Sequence, residues 1–146
     1  MPTVQERVEI DAPVTEVFAY VDDASRAHEW LVGLTRIEPV GSVRHGVGAQ
    51  YDGTVRVGVA LDSRIECTAW EQDRLIVLQS VDGIENTQRW EFAPLGEDRC
   101  EVRACISFEF PGGPAGRAIA RVVRPLVGGA VQRTAANLVG RFARAR

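Results

Sequence analysis

The sequence predicts an α+β fold in which an antiparallel sheet curves around a C-terminal helix, with two short helices after the first strand. Three observations predict it. Apolar residues repeat at helical spacing just after Pro13. From Gly33 to Phe110 the apolar period drops from about 3.6 to about 2, with Gly and Asp recurring at hairpin spacing. Helix-forming residues then return from Gly112 onward.

In the first strand Val4, Val8 and Ile10 share one parity and Gln5, Arg7 and Glu9 the other, the pattern of a half-buried strand. Glu6 falls on the apolar side, where a dry carboxyl would be a general acid and one at a sheet end would reach water. Asp11 is placed as the cap of the next helix, with Pro13 just inside it. Val14, Val17, Phe18 and Val21 form its apolar face, and it ends near Asp22. Asp22-Asp23-Ala24-Ser25 then reads as a loop and a second cap, opening a short helical segment with His28, Glu29, Trp30 and Leu31.

Six further strands follow near 34–42, 48–60, 62–72, 74–82, 84–94 and 99–110. Turns are expected at Gly46-Val47-Gly48, Leu61-Asp62, Asp73-Arg74, Asp82-Gly83 and Gly96-Glu97-Asp98. Ile84, Asn86, Gln88, Trp90 and Phe92 share a face in the fifth of these strands. In the sixth, Cys100, Val102, Ala104, Ile106, Phe108 and Phe110 oppose Arg99, Glu101, Arg103 and Glu109. In the second, Tyr51, Val55, Val57 and Val59 alternate with polar residues. The charged sets belong in water and the apolar sets need a cover.

The tail supplies one. Ile119, Val122, Val123, Leu126 and Val127 precede an apolar run that reaches Phe142, but the two stretches differ in phase by roughly 150° at about 100° per residue. A kink or break at Pro125, loosened by Gly128-Gly129, is the expected remedy. A straight helix on a twisted sheet leaves a gap, and Gly53, Ala104, Gly128, Gly129 and Ala130 offer little volume to fill it. An apolar cavity between sheet and C-terminal helix, with a few polar groups, is the usual character of a small-molecule site.

Composition narrows the function. The 146 residues, 45% hydrophobic and 25% charged, suit one domain over 1–146. A net charge of −3 argues against a general phosphate-backbone binder, so DNA is not expected as a partner. With no long apolar run and no signal-like start, membrane insertion is not expected and the cytoplasm is the expected compartment. All 17 basic residues are Arg, which removes lysine-based covalent chemistry. Cys67, Cys100 and Cys105 lack metal-ligand spacing and read as small buried hydrophobes. Neither a metal nor a cofactor is called for, and no hydrolase or nucleotide motif is present. Charge is segregated: the last 36 residues carry seven Arg and no acid, and the first 110 carry ten Arg against 20 acids.

Ile10-Asp11-Ala12-Pro13 with Glu16-Val17-Phe18, then Asp23, Ser25-Arg26 and Glu29-Trp30, then Gly46-Val47-Gly48 and Tyr51, resemble the START-like helix-grip (SRPBCC) superfamily, in particular its bacterial polyketide cyclase/dehydrase group. The likeness spans nearly the whole chain. It implies a helix-grip fold, a seven-stranded curved antiparallel sheet wrapped around a long C-terminal helix with a hydrophobic ligand cavity between them. No catalytic residue carries over, because the polar set of aromatase/cyclases has no match here.

Six residues are candidates for ligand contact: Trp30, Tyr51, Asn86, Gln88, Trp90 and Phe108. Asn86 and Gln88 are amides on an inward face and would orient a carbonyl or hydroxyl, unless they bond within the protein. Tyr51 would donate its hydroxyl to a ligand, or be a tethered core tyrosine. Trp30 would close one end of the cavity or simply pack; His28 is expected to be exposed. The favoured reading is binding of a polyketide, lipid or isoprenoid-like molecule. The alternatives are a polyketide cyclase or dehydratase that folds a bound chain, and a toxin-like protein whose Arg-rich helix meets a ribosome or another anionic partner. Homodimerisation is left open.

Overall fold

A computed structural model describes residues 3–143 of the chain. Strand β1 (Thr3–Ile10) keeps the expected alternation, with Gln5, Arg7 and Glu9 exposed and Ile10 fully buried. Helix α1 spans Val14–Asp22, and its cap is Pro13, not Asp11. The Pro13 carbonyl accepts the N–H groups of Glu16 and Val17 at 3.1 and 3.2 Å. With Pro13 extended at φ −58°, ψ 143°, Asp11 lies two residues too early to cap and instead accepts from Arg99 Nε at 3.1 Å. The second helical segment is a 3₁₀ helix, Ala24–Glu29, capped as expected by Asp23, whose carboxylate accepts from the Ser25 N–H at 3.1 Å. Trp30 and Leu31 lie just beyond its end.

Strands β2 (Leu34–Val40), β3 (Gln50–Val57), β4 (Val59–Glu71), β5 (Leu75–Gly83), β6 (Glu85–Pro94) and β7 (Cys100–Glu109) follow as a meander. The sheet order is β1-β7-β6-β5-β4-β3-β2, with every neighbouring pair antiparallel. The chain leaves β1 at one edge and is carried by α1 and the 3₁₀ helix to β2 at the other. Register shifts at Leu34/Arg36, Arg64/Ile65 and Cys67/Ala69 add the local twist that curls this half of the sheet.

The β3–β4 turn is at Gly58, not Leu61-Asp62. Asp62 is a strand residue, and its carboxylate accepts from Thr54 Oγ1 across the ladder at 2.6 Å. Gly58 has φ +81°, and a Cβ there would lie 2.7 Å from Leu126 Cδ1, so both conformation and space ask for glycine. Val59, assigned to the inward set, follows the turn and is exposed.

The C-terminal helix α2 (Pro114–Arg141) is one uninterrupted element of 28 residues, which corrects the expected break at Pro125. Pro125 and Arg121 are both exposed, so the carbonyl that Pro125 leaves without an N–H partner is turned toward water. The phase conflict also dissolves. The buried stripe is Gly116, Ala120, Val123, Val127, Ala130, Thr134, Ala135 and Leu138, mostly small residues at helical spacing, while Ile119, Val122 and Leu126 face outward. Small side chains let α2 lie close along β1, the strand it chiefly contacts.

The core has two parts. One joins Ile10, Val17, Phe18, Trp30, Trp90, Phe92, Cys100, Val102 and Leu138, with Phe18 edge-on to Phe92 at 5.0 Å and Trp30 edge-on to Trp90 at 5.5 Å. The other joins Val57, Phe108, Val123, Val127 and Ala130 beneath α2. Cys67 and Cys100 are buried free thiols; the pKa of Cys100 is pushed up to about 11 by burial. Glu101, expected in water, is only 7% exposed: Arg7 Nε donates to it at 2.7 Å and Arg103 Nε at 2.5 Å.

Candidate functional site

Because α2 lies chiefly along β1, the 3₁₀ helix and the end of α1 are what cover the inner face of β2–β5 around Tyr51, Ile65 and Ile76. This displaces the hollow from where it was expected. A partly open chamber of about 160 Å³ lies beneath the end of α1 and the 3₁₀ helix, walled by Trp30, Leu31, Ile65, Ile76, Leu78 and Trp90, with no α2 residue in its wall. A second chamber, about 150 Å³, does lie against α2, between Val127, Ala130 and Val131 and the strand residues Val57, Asn86, Ile106 and Phe108. Val55, Leu61, Ser63 and Gln88 line both. Together the chambers come to about 300 Å³, the lower end of the range for small-molecule sites.

All six candidate residues line these chambers. Trp30, Tyr51 and Trp90 belong to the first, Asn86 and Phe108 to the second, and Gln88 to both. Their polar groups differ in how far the protein satisfies them. Asn86 donates through Nδ2 to the Ile84 carbonyl at 2.8 Å. The Tyr51 hydroxyl donates to the Arg44 carbonyl at 3.1 Å, and burial, followed by the Asp22 charge, raises its pKa. Thr134 accepts the Val32 N–H at 3.0 Å. The amide of Gln88 bonds to no described residue, and the buried Trp30 indole N–H has no acceptor among them. Glu6 is half-buried on β1 opposite Ala104 and lines neither chamber. His28 is exposed.

An open groove lined by both charged and apolar side chains lies outside the first chamber, between the α1 end and β2. It shares Asp22, Ala24, Leu34, Ile37 and Tyr51 with the chamber wall. Its chemistry centres on a pair that sequence reasoning missed. His45 Nε2 meets Asp22 Oδ2 at 2.6 Å, while Asp22 Oδ1 accepts from Trp70 Nε1 at 3.0 Å and the His45 ring stands edge-on to Trp70 at 4.8 Å. The Asp22 side chain is 15% exposed and that of His45 is 62% exposed. A half-buried carboxylate thus fixes one imidazole nitrogen and leaves the ring open to the groove, the arrangement of a base with its orienting group. Tyr51, bonded to the carbonyl just before His45, holds the loop that carries it. One residue lies at a helix end and the other in a loop, so no periodicity or spacing links them.

α2 is stitched to the far side of the chamber roof. Asn137 Nδ2 donates to the Trp30 carbonyl at 3.2 Å. Glu29 accepts from the Tyr20 hydroxyl at 3.1 Å and from Arg26, whose hydrogen bond is the main cause of its lowered pKa. The Arg26 and Arg141 guanidinium groups lie 4.8 and 5.2 Å from the Tyr20 ring centroid.

Residues 1–143 match the family described as polyketide cyclase / dehydrase and lipid transport. No curated protein sequence matches the chain at a significant level. Among solved structures, TTHA0849 from Thermus thermophilus is similar at a TM-score of 0.81 with 20% identity, covering 97% of each chain. A START superfamily protein from Mycobacterium smegmatis gives 0.76 with 18% identity over 96% of each chain. The di-domain ARO/CYC BexL from the BE-7585A biosynthetic pathway gives 0.69 with 21% identity, over 99% of this chain and 50% of that one. At these identities the likeness is one of fold.

Proposed function

We propose that this chain, which belongs to the polyketide cyclase / dehydrase and lipid transport family, binds a hydrophobic small molecule of polyketide, lipid or isoprenoid type in its two-chambered cavity. The observation that carries the reading is Gln88. Its amide bonds to no described residue, and it lines both chambers of a hollow whose walls are mostly apolar. The amide is half-buried and open to water, and a ligand oxygen or hydroxyl at this point takes the place of that water. The Trp30 N–H offers a second donor in the same wall. Trp90, Ile76 and Leu78 supply contact area, Gln88 the orientation.

Titration with an apolar fluorophore such as 1-anilinonaphthalene-8-sulfonate, displaced by long-chain alcohols and by aromatic ketones, tests this. Saturable binding at one site is expected, and Gln88→Leu should weaken oxygen-bearing competitors about tenfold while leaving hydrocarbons unaffected. Absence of saturable binding, or equal loss for both competitor classes, argues against it.

A second reading, cyclisation or dehydration of a bound polyketide-like chain, is favoured by the Asp22–His45 pair at the cavity mouth. His45 would take the proton from carbon α to a carbonyl, and the resulting enolate carbon would attack a second carbonyl of the same chain. The imidazolium then returns its proton to the new alkoxide. Asp22 would hold the ring throughout, and the cavity would bring the two carbons together. Under this reading His45→Ala abolishes turnover but spares fluorophore binding; turnover that survives the change removes it.

A further inference from the structure

We propose that the ligand held by the two chambers carries its oxygen in mid-chain, as an internal ketone, secondary alcohol or ester with hydrocarbon on both sides. It rests on the chambers being a ligand site and fixes where along the ligand the polar group falls. Three strands set the chambers in line. Along β3 the wall passes from Tyr51 in the first chamber through Val55, common to both, to Val57 in the second. Along β4 it passes from Ile65 to the shared Ser63 and Leu61, and along β6 from Trp90 through the shared Gln88 to Asn86. The pairing of β3 with β4, β4 with β5 and β5 with β6 makes these three progressions run the same way in space. The chambers therefore follow one another along the strands, and Trp90 to Asn86 alone spans about 13 Å at roughly 3.3 Å per residue.

Polar side chains toward the two far ends already bond within the protein. In the first chamber the Tyr51 hydroxyl donates to the Arg44 carbonyl, and the two Asp22 carboxylate oxygens meet His45 and Trp70. In the second, Asn86 donates through Nδ2 to the Ile84 carbonyl and Thr134 accepts the Val32 N–H. Where the chambers meet, the Ser63 hydroxyl and the Gln88 amide bond to no described residue. Both residues are half-buried. Gly53, paired with Ser63 across the β3–β4 ladder, brings no side chain to cover the hydroxyl.

A hydroxyl and an amide each donate and accept, so this junction takes either a carbonyl or an alcohol oxygen. A ligand with its oxygen there lays hydrocarbon against Ile76, Leu78 and Trp90 on one side and against Phe108, Val127 and Ala130 on the other. A positional isomer with a terminal oxygen loses twice. Its hydrocarbon displaces water from Ser63 and Gln88 without replacing the hydrogen bonds, and its own oxygen is carried into an apolar end. The Trp30 N–H does not alter the choice: it can only donate, and its nitrogen is buried within the wall, so a ligand meets Ser63 and Gln88 first.

Displacement of 1-anilinonaphthalene-8-sulfonate from the intact protein by 2-undecanone and by 6-undecanone, ketones of one composition, tests the position of the oxygen. The wild type is expected to bind 6-undecanone about fivefold more tightly, the effect of one hydrogen bond kept or lost. Ser63→Ala and Gln88→Leu remove the junction groups and should narrow that preference. Narrowing in either variant supports the proposal and identifies the side chain that holds the oxygen. Equal affinities, a preference for 2-undecanone, a preference that neither variant changes, or one lost only in Trp30→Phe overturns it while leaving the cavity a ligand site. Failure of the fluorophore and of both ketones to bind removes the ligand site itself, and this proposal with it.

Discussion

The Asp22 carboxylate and the His45 imidazole meet at 2.6 Å, and the same carboxylate takes the Trp70 indole N–H at 3.0 Å. One side chain therefore ties the end of α1, the β2–β3 loop and strand β4 together at the cavity mouth.

Removing that carboxylate should loosen the mouth in a graded way. Asp22→Ala strands the Trp70 N–H and is expected to cost roughly 1–3 kcal/mol, read from urea unfolding. Asp22→Asn keeps an oxygen for Trp70 and should cost less. Equal losses would mean that the indole bond contributes nothing.

Glu101 gives the fold a pH dependence on the acid side. The hydrogen bond from Arg7, then that from Arg103, holds its carboxyl below the usual carboxylate range. A carboxylate with a depressed folded pKa stabilises above its unfolded value, about 4.3, and loses that contribution as pH falls through the folded value. The urea midpoint of Glu101→Gln should therefore lie below that of the wild type at pH 7, and the gap should close on acidification below about pH 4. A gap that is constant with pH would contradict the assignment.

The thiols should react in a fixed order. Burial pushes the Cys100 pKa up to about 11 and raises that of Cys67, so both stay protonated and covered at neutral pH. Ellman's reagent is expected to modify at most Cys105, the half-buried one, in the native protein, and all three thiols in guanidinium. Rapid native modification of Cys100 would show that the β7 core opens easily.

Gly58→Ala should destabilise by about 1–2 kcal/mol, because a side chain at φ +81° is strained. Pairing it with Leu126→Ala, which clears the contact at 2.7 Å, should recover only a small part of the loss. Full recovery in a double-mutant cycle would locate the cost in crowding and not in the backbone.

These residues also show what the sequence discloses. Alternation along β6 and β7 assigned Gln88, Trp90 and Phe108 to the inner face because a strand's period is unambiguous once charged residues mark the wet side. The C-terminal helix was harder. Hydrophobicity ranks Ile119 and Val122 above Gly116 and Ala120, yet close approach to β1 selects the small residues for burial and sends the large ones outward. The turn was misplaced because Asp62 resembles a turn residue, while its partner Thr54 is visible only in three dimensions. The cavity was expected under α2 because α2 is the longest apolar element. How far it would lean toward β1, and so leave the aromatic chamber to α1 and the 3₁₀ helix, depends on packing that no local pattern encodes. Asp22 and His45 meet only through the fold.

Native mass spectrometry of the purified protein, before and after incubation with a mixed lipid and polyketide extract, probes occupancy of the two chambers most directly. The account predicts a non-covalent adduct of a single apolar molecule per chain, present in the wild type and depleted in Gln88→Leu for oxygen-bearing species. A bare chain mass in every preparation, with no uptake from the extract, would contradict it.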